Sequence, residues 1–375
     1  MIRKKLPIVI DNYVKSECWT NLLLSIIQTS EYASAWIASH LGIIGVDDMK
    51  CWYGNLSKIF SYRDCLDILN FEEVNIWSVP TDSVVEFIRK EINKENYIVV
   101  ELKHEDSATE KGYWIHEQLI FGYDDEKREL YGSVLNNQTG SFIEISITYD
   151  DFISTYRNSY EHFKDPGNKD DFIFWSRSNF LISRISLRKD YFPHGCEYDF
   201  LQNLIIEADG KVYTSTQYDS EKNVVSERKM YNGAACLLAG EQYMEVLWHD
   251  RHFVDKDTDI EYNDLFGRLS FKLAKDIYKL YEHRKIILDS LHWFYTITGV
   301  TDPLDSPNYI EYEQCCKDME IYYTVALKFN HLRDWEVLRS LKECFPSQYK
   351  KEHRVLNNLV REIKDIWYTD KSYRI

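Results

Sequence analysis

Four strand patterns follow one another at close intervals between residues 96 and 147, and they restrict the fold more than any other feature of the chain. Residues 96–102, 113–123, 129–135 and 141–147 are each rich in β-branched and aromatic side chains. Polar or turn-forming segments separate them: His104 to Lys111, Asp124-Asp125-Glu126-Lys127, and Asn136 to Gly140. Connections this short join neighbours in an antiparallel sheet, because a parallel crossover needs about a dozen residues or more.

Helical patterns precede these strands. Ser16 or Glu17 opens a helix from Cys18 to about Gln28, with Leu22, Leu23, Ile26 and Ile27 on one face. A second helix runs from Glu31 to His40 and is closed by Gly42. Thr81-Asp82-Ser83 caps a third, ending at Ile92, and Tyr149 begins a short fourth. The polar, Pro-Gly-punctuated stretch from His162 to Asp171 marks a boundary. Beyond it, residues 172–175 and 181–187 look like strands. Helical periodicity then dominates, most clearly at 265–289, 309–330, 334–345 and 351–367, as in a helical bundle. The expectation is an α+β chain with two domains, at 1–165 and at 172–375, the second mainly helical.

Composition narrows the function. With 45 basic and 61 acidic residues the formal charge is −16, which argues against nucleic acid or an anionic membrane as partner. No apolar run is long enough to span a bilayer, and the basic-then-apolar start lacks the length of a signal peptide. A cytoplasmic protein is expected, its eight cysteines reduced. No CxxC pair occurs, so neither a metal nor a cofactor is expected, and the spaced pair His249/His252 is read as surface.

One cysteine stands apart. Cys18 falls at the start of an apolar helix, where first-turn N–H groups and the helix dipole favour a thiolate. Such a nucleophile needs an imidazole, and His116 lies on the second strand among alternating apolar residues. His104, at a strand end beside a polar loop, is the rival base. The residues alone leave open that Cys18 and His116 are ordinary core side chains.

The segment His116-Glu117-Gln118-Leu119-Ile120-Phe121-Gly122-Tyr123-Asp124-Asp125-Glu126 resembles a branch of the papain-like cysteine peptidases, as do Tyr131, Gly140-Ser141-Phe142 and residues 147–152. That branch is the C39-peptidase-like group typified by the N-terminal domain of butirosin biosynthesis protein H. The resemblance covers about the first 165 residues. It implies a papain-like fold, with a helical half and a sheet half, and a place in antibiotic or nonribosomal peptide biosynthesis. It implies Cys18 as nucleophile and His116 as base. Where the family often carries a glutamine six residues before the cysteine, this chain has Asn12, either an oxyanion donor or a turn residue after a strand at Ile8–Ile10. The family's aspartate, in the strand after the histidine, falls at Gly132-Ser133-Val134, where no carboxylate occurs. Either the site works as a dyad with Ser133 or Asn136 as a polar orienter of the imidazole, or the domain is degenerate.

The implied reaction is acyl transfer without ATP. Cys18 takes an acyl group from a thioester on an acyl- or peptidyl-carrier protein and passes it to a small amine, for example a diamine. The alternatives are a cysteine hydrolase or peptidase using the same pair, and a non-catalytic binding module. Arg184, Arg188 and Lys189 are the candidate basic dock for a carrier.

Overall fold

The computed structural model describes residues 2–40, 42–46, 51–55, 58–59, 67–105, 112–136, 141–165, 167–168, 181–218, 224–254, 260–299 and 302–369. In chain order the elements are β1 (Arg3–Lys5), α1 (Cys18–Ile27), α2 (Ala33–His40), β2 (Gly42–Val46), β3 (Cys51–Asn55), β4 (Lys58–Ile59), β5 (Leu69–Asn75), α3 (Val84–Asn93), β6 (Tyr97–Glu105), β7 (Tyr113–Asp124), β8 (Glu129–Asn136), β9 (Ser141–Thr148), α4 (Tyr149–Lys164), β10 (Leu181–Leu187), α5 (Cys196–Asp209), β11 (Val212–Tyr218), β12 (Val224–Asn232), α6 (Cys236–Val254), α7 (Ile260–Thr298), α8 (Pro307–Leu332) and α9 (Trp335–Thr369). The chain is α+β, with a helical C-terminal region.

Two compact units share the chain, and they interleave. One comprises Met1–Ala33 with Cys65–Phe192, the other Ser34–Asp64 with Pro193–Ile375. The division expected between residues 165 and 172 is therefore not where the units part. β10, expected in the second domain, belongs to the sheet of the first unit, and residues 34–64 belong to the second. The strand expected at 172–175 lies outside the described residues.

The first unit is built on a seven-stranded sheet in the order β5-β10-β6-β7-β8-β9, with β1 also pairing β7. All recorded pairings in it are antiparallel. The centre is β7. On one side β6 covers it from Tyr113 to Ile120, and β1 takes over from Gly122 to Asp124. On the other, its recorded pairing with β8 begins only at Leu119. A strand was expected at Ile8–Ile10, but the chain pairs earlier, at Arg3–Lys5. Gly122 permits this: a Cβ there would lie 2.8 Å from the Lys4 carbonyl oxygen and 3.1 Å from Lys5 Cα.

α1 is buried from Trp19 to Ile27, not along one face as its spacing suggested. A helix buried on every side is a core helix, with Thr20, Asn21 and Ser25 buried among its apolar residues, and each fully buried Leu or Ile contributes about 1.5–3 kcal/mol. α4 follows β9 directly, its N-terminus capped by Thr148, whose hydroxyl accepts from the Asp151 N–H at 3.1 Å.

The second unit holds a five-stranded sheet, β11-β12-β2-β3-β4, together with helices α5 to α9. Residues 334–345 and 351–367, expected as separate helices, form the single α9, which runs through Pro346. A proline forfeits one helical bond. Here Leu338, Leu341, Phe345, Val355, Leu356 and Leu359 are buried on both sides of it, and that packing carries the helix across. Neighbouring residues of α7 reach buried carboxylates: His283 Nε2 lies 3.1 Å from Glu207, and Arg284 forms an ion pair with Glu352 at 2.8 Å.

Gly122→Ala forces backbone apart at the β1–β7 junction. We expect a loss of about 1–3 kcal/mol, read as a lower urea midpoint at unchanged slope.

Candidate active site

Cys18 is the first residue of α1. Glu17 before it is extended (φ −137°, ψ 110°), and its carbonyl accepts the first helical bond, from the Asn21 N–H at 2.9 Å. Its carboxylate does not cap the helix but accepts from the Thr20 hydroxyl at 2.6 Å. First-turn N–H groups of a helix point outward from its N-terminus. The Cys18 sulfur therefore sits in a field that favours negative charge.

His116 meets it. Nε2 lies 3.0 Å from Cys18 Sγ, across 98 residues of sequence. The histidine stands in the part of β7 that precedes its recorded pairing with β8, with β6 alongside through the Leu102–His116 pair. Nδ1 lies 2.9 Å from the backbone oxygen of Glu117. A carbonyl oxygen only accepts, so Nδ1 carries the proton and Nε2 faces the thiol with its lone pair. The same residue's carboxylate, 5% exposed, has Oε2 3.4 Å from Nδ1.

Neither residue expected to complete the site does so. Asn12 is buried, and its amide nitrogen donates to the Asn21 carbonyl at 2.9 Å and to Ser25 Oγ at 2.8 Å. Its Oδ1 accepts from the Val14 N–H at 2.9 Å and from Asn21 Nδ2 at 3.1 Å. Both amide protons are thus committed, and Asn12 holds α1 in place instead of donating to an oxyanion. Ser133 is fully buried beside Leu119, and its Oγ makes no hydrogen bond among the described residues. The Nδ1 proton that Ser133 or Asn136 was expected to accept goes to residue 117 instead. Glu117 was in plain view next to the histidine, but alternation along a strand argues against contact between neighbours. The ring overrides alternation by turning Nδ1 back along its own strand.

His104, the rival imidazole, packs on the far side of Trp114 from His116 in the chain of ring contacts. It pairs with Trp114 across β6 and β7 and stacks on its ring, centroids 4.9 Å apart; Trp114 in turn lies 5.1 Å from the His116 ring. Burial first, then the charge of His116, hold the His104 imidazole below its ordinary value.

Cys196 and Cys236 also begin helices, α5 and α6, but unlike Cys18 both are buried. Cys51, Cys196, Cys236, Cys315 and Cys316 are buried, and Cys344 is half-buried. Burial pushes Cys315 up to about 12, Cys316 is raised well above the ordinary range for the same reason, and Cys51 is raised by its bond to Cys236 and by burial. Cys65 lies outside the described residues. Among the described residues no group of three or more His, Cys, Asp or Glu side chains could hold a metal ion. His249 bonds Glu245 at 2.9 Å, and the His252 side chain lies outside the described residues.

The expected basic dock is neutralised. Arg184 pairs with Glu72 and, at 3.4 Å, with Glu91; Arg188 pairs with Asp190 and Lys189 with Glu95, each at 2.8 Å. No helix among the described residues is long and apolar enough to cross a membrane.

No family model matches the chain, and no curated protein matches it.

Asn12→Ala leaves the buried amide of Asn21 and the hydroxyl of Ser25 each short of a partner. Urea unfolding should show a loss of about 1–3 kcal/mol. His104 gives a pH signature. With its folded value depressed, the unfolded chain takes up the proton first. Its contribution is present above about 6.5, the ordinary histidine value, and is lost as pH falls below it. Unfolding free energies measured across that range should fall less steeply on acidification in His104→Gln than in the parent.

Proposed function

We propose that the Cys18–His116 pair catalyses acyl transfer from a thioester to an amine, in a papain-like domain of the C39-peptidase-like type. The observation that carries this reading is the 3.0 Å contact between Sγ and an Nε2 whose ring is locked with its proton on Nδ1. That arrangement is an activated nucleophile: the imidazole takes the thiol proton and the thiolate remains beside the imidazolium.

The thiolate attacks the carbonyl carbon of an acyl thioester borne by a carrier protein. The tetrahedral oxyanion faces the α1 N-terminus, with the Cys18 N–H as its donor. The carrier thiol leaves with the proton from His116, and an acyl-Cys18 thioester remains. An amine then attacks, His116 removes its proton, and Cys18 departs as thiolate. One thioester has been exchanged for another and then for an amide, so no nucleotide is required. His104 and Trp114 set aromatic surface next to the base. Such a wall limits water at the acyl-enzyme, which favours aminolysis over hydrolysis. The acidic chain attracts a cationic amine.

The test is incubation with an N-acetylcysteamine acyl thioester, with and without a diamine. Intact-protein mass spectrometry should show one acyl adduct that disappears in Cys18→Ala, and amide should form when the amine is added. An adduct discharged only to free acid identifies a hydrolase. Absence of any Cys18-dependent adduct overturns both enzymatic readings in favour of a binding module.

A further inference from the structure

We infer that Glu117 is the positioning residue of the site, its backbone oxygen fixing the His116 tautomer and its carboxylate holding the imidazolium. This rests on the reading of His116 as the base of Cys18. It assigns the third function of the site to a residue next to the histidine in sequence, to which the resemblance gave no role.

The geometry supports two separate jobs. At 2.9 Å the carbonyl is the hydrogen-bond acceptor for Nδ1–H, and it keeps Nε2 available to the thiol. The carboxylate at 3.4 Å is too far for a strong hydrogen bond but close enough for an ion pair. It is 5% exposed, and at such depth a charge needs a partner. Among the described residues its recorded ionic partner is His116. Glu101 of β6 is opposite Glu117 and is 6% exposed. Among the described residues, the other ionisable groups recorded with the ring are Cys18 on α1 and His104 on β6, the latter held toward its neutral form. Glu117 therefore shifts the proton balance of the pair from thiol plus imidazole to thiolate plus imidazolium.

The carbonyl survives every side-chain substitution, so Glu117→Gln removes the charge alone. The experiment is the pH–rate profile of Cys18 alkylation by iodoacetamide, followed by mass spectrometry of the Cys18 peptide. The parent protein should show a reactive shoulder at low pH, due to the ion pair, followed by a rise as the remaining thiol ionises. His116→Ala should abolish the shoulder. Glu117→Gln should reduce its height about tenfold, equivalent to about 1.4 kcal/mol, and leave the alkaline plateau unchanged. Glu117→Asp should restore part of it.

A parent protein without a shoulder, or a shoulder that survives His116→Ala, refutes the base reading itself. A shoulder lost in His116→Ala but intact in Glu117→Gln refutes only the role of Glu117. If Glu117→Gln fails to fold, proton NMR of the parent decides. A strongly downfield Nδ1–H signal that moves when Cys18 is alkylated supports the ion pair, and a signal at the position of an ordinary carbonyl-bonded imidazole refutes it.

Discussion

The geometry of the first unit depends on one short stretch of backbone, the segment that ties β7 to α1. It bonds to the far end of β7 through the Asp125 N–H to Ile2 and the Leu6 N–H to Phe121, both at 2.8 Å. It then crosses to α1, where the Val9 N–H meets the Ser25 carbonyl at 3.0 Å. The amides of Asn12 and Asn21 knot it to the helix, with Asn21 Nδ2 donating to the Val14 carbonyl at 2.6 Å. The strand at one end carries the histidine and the helix at the other carries the cysteine. Asn12, expected at the site itself, thus helps hold the helix that carries Cys18 against the segment that leads to the strand of His116.

Charge is partitioned with the same economy. The raised thiols of the second unit are buried, where ionisation is costly. Cys18 is half-buried, at a helix N-terminus, and against an imidazole. These differences follow from position, since the side chains are identical. The basic residues Arg184, Arg188 and Lys189 show the converse: they cluster in sequence, yet each stands against a carboxylate.

Local pattern made much of the first unit legible. β6 to β9 begin and end within a few residues of their expected bounds, and β10 matches its expected range, because alternation and turn residues are local signals. The pair Cys18 and His116 was legible for the same reason, one from a helix start and the other from a strand. What escaped depends on distant partners. β2 finds β12 through pairs such as Val46 with Met230, and nothing in either segment announces the other. The sheet they form was absent from the expectation altogether. The continuous α9 escaped because packing on both sides of Pro346 outweighs the local signal for a break. Glu117 escaped because a ring rotation defeated the alternation rule that placed everything else.

The position of β10 has a consequence for how the chain is made. It lies between β5 and β6, pairing with both, although its residues follow their partners in β6 by more than 80 positions and those in β5 by more than 100. During synthesis the two older strands emerge first and must wait with their facing edges unfilled. The cysteine and the histidine have left the ribosome long before, yet the sheet beneath them is incomplete until Leu187 appears. Ser34–Asp64, made early, must wait longer still for the remainder of its own unit, which begins at Pro193. The nascent protein therefore holds an open sheet edge and an unpartnered segment at the same time, the state in which pairing with other chains is easiest.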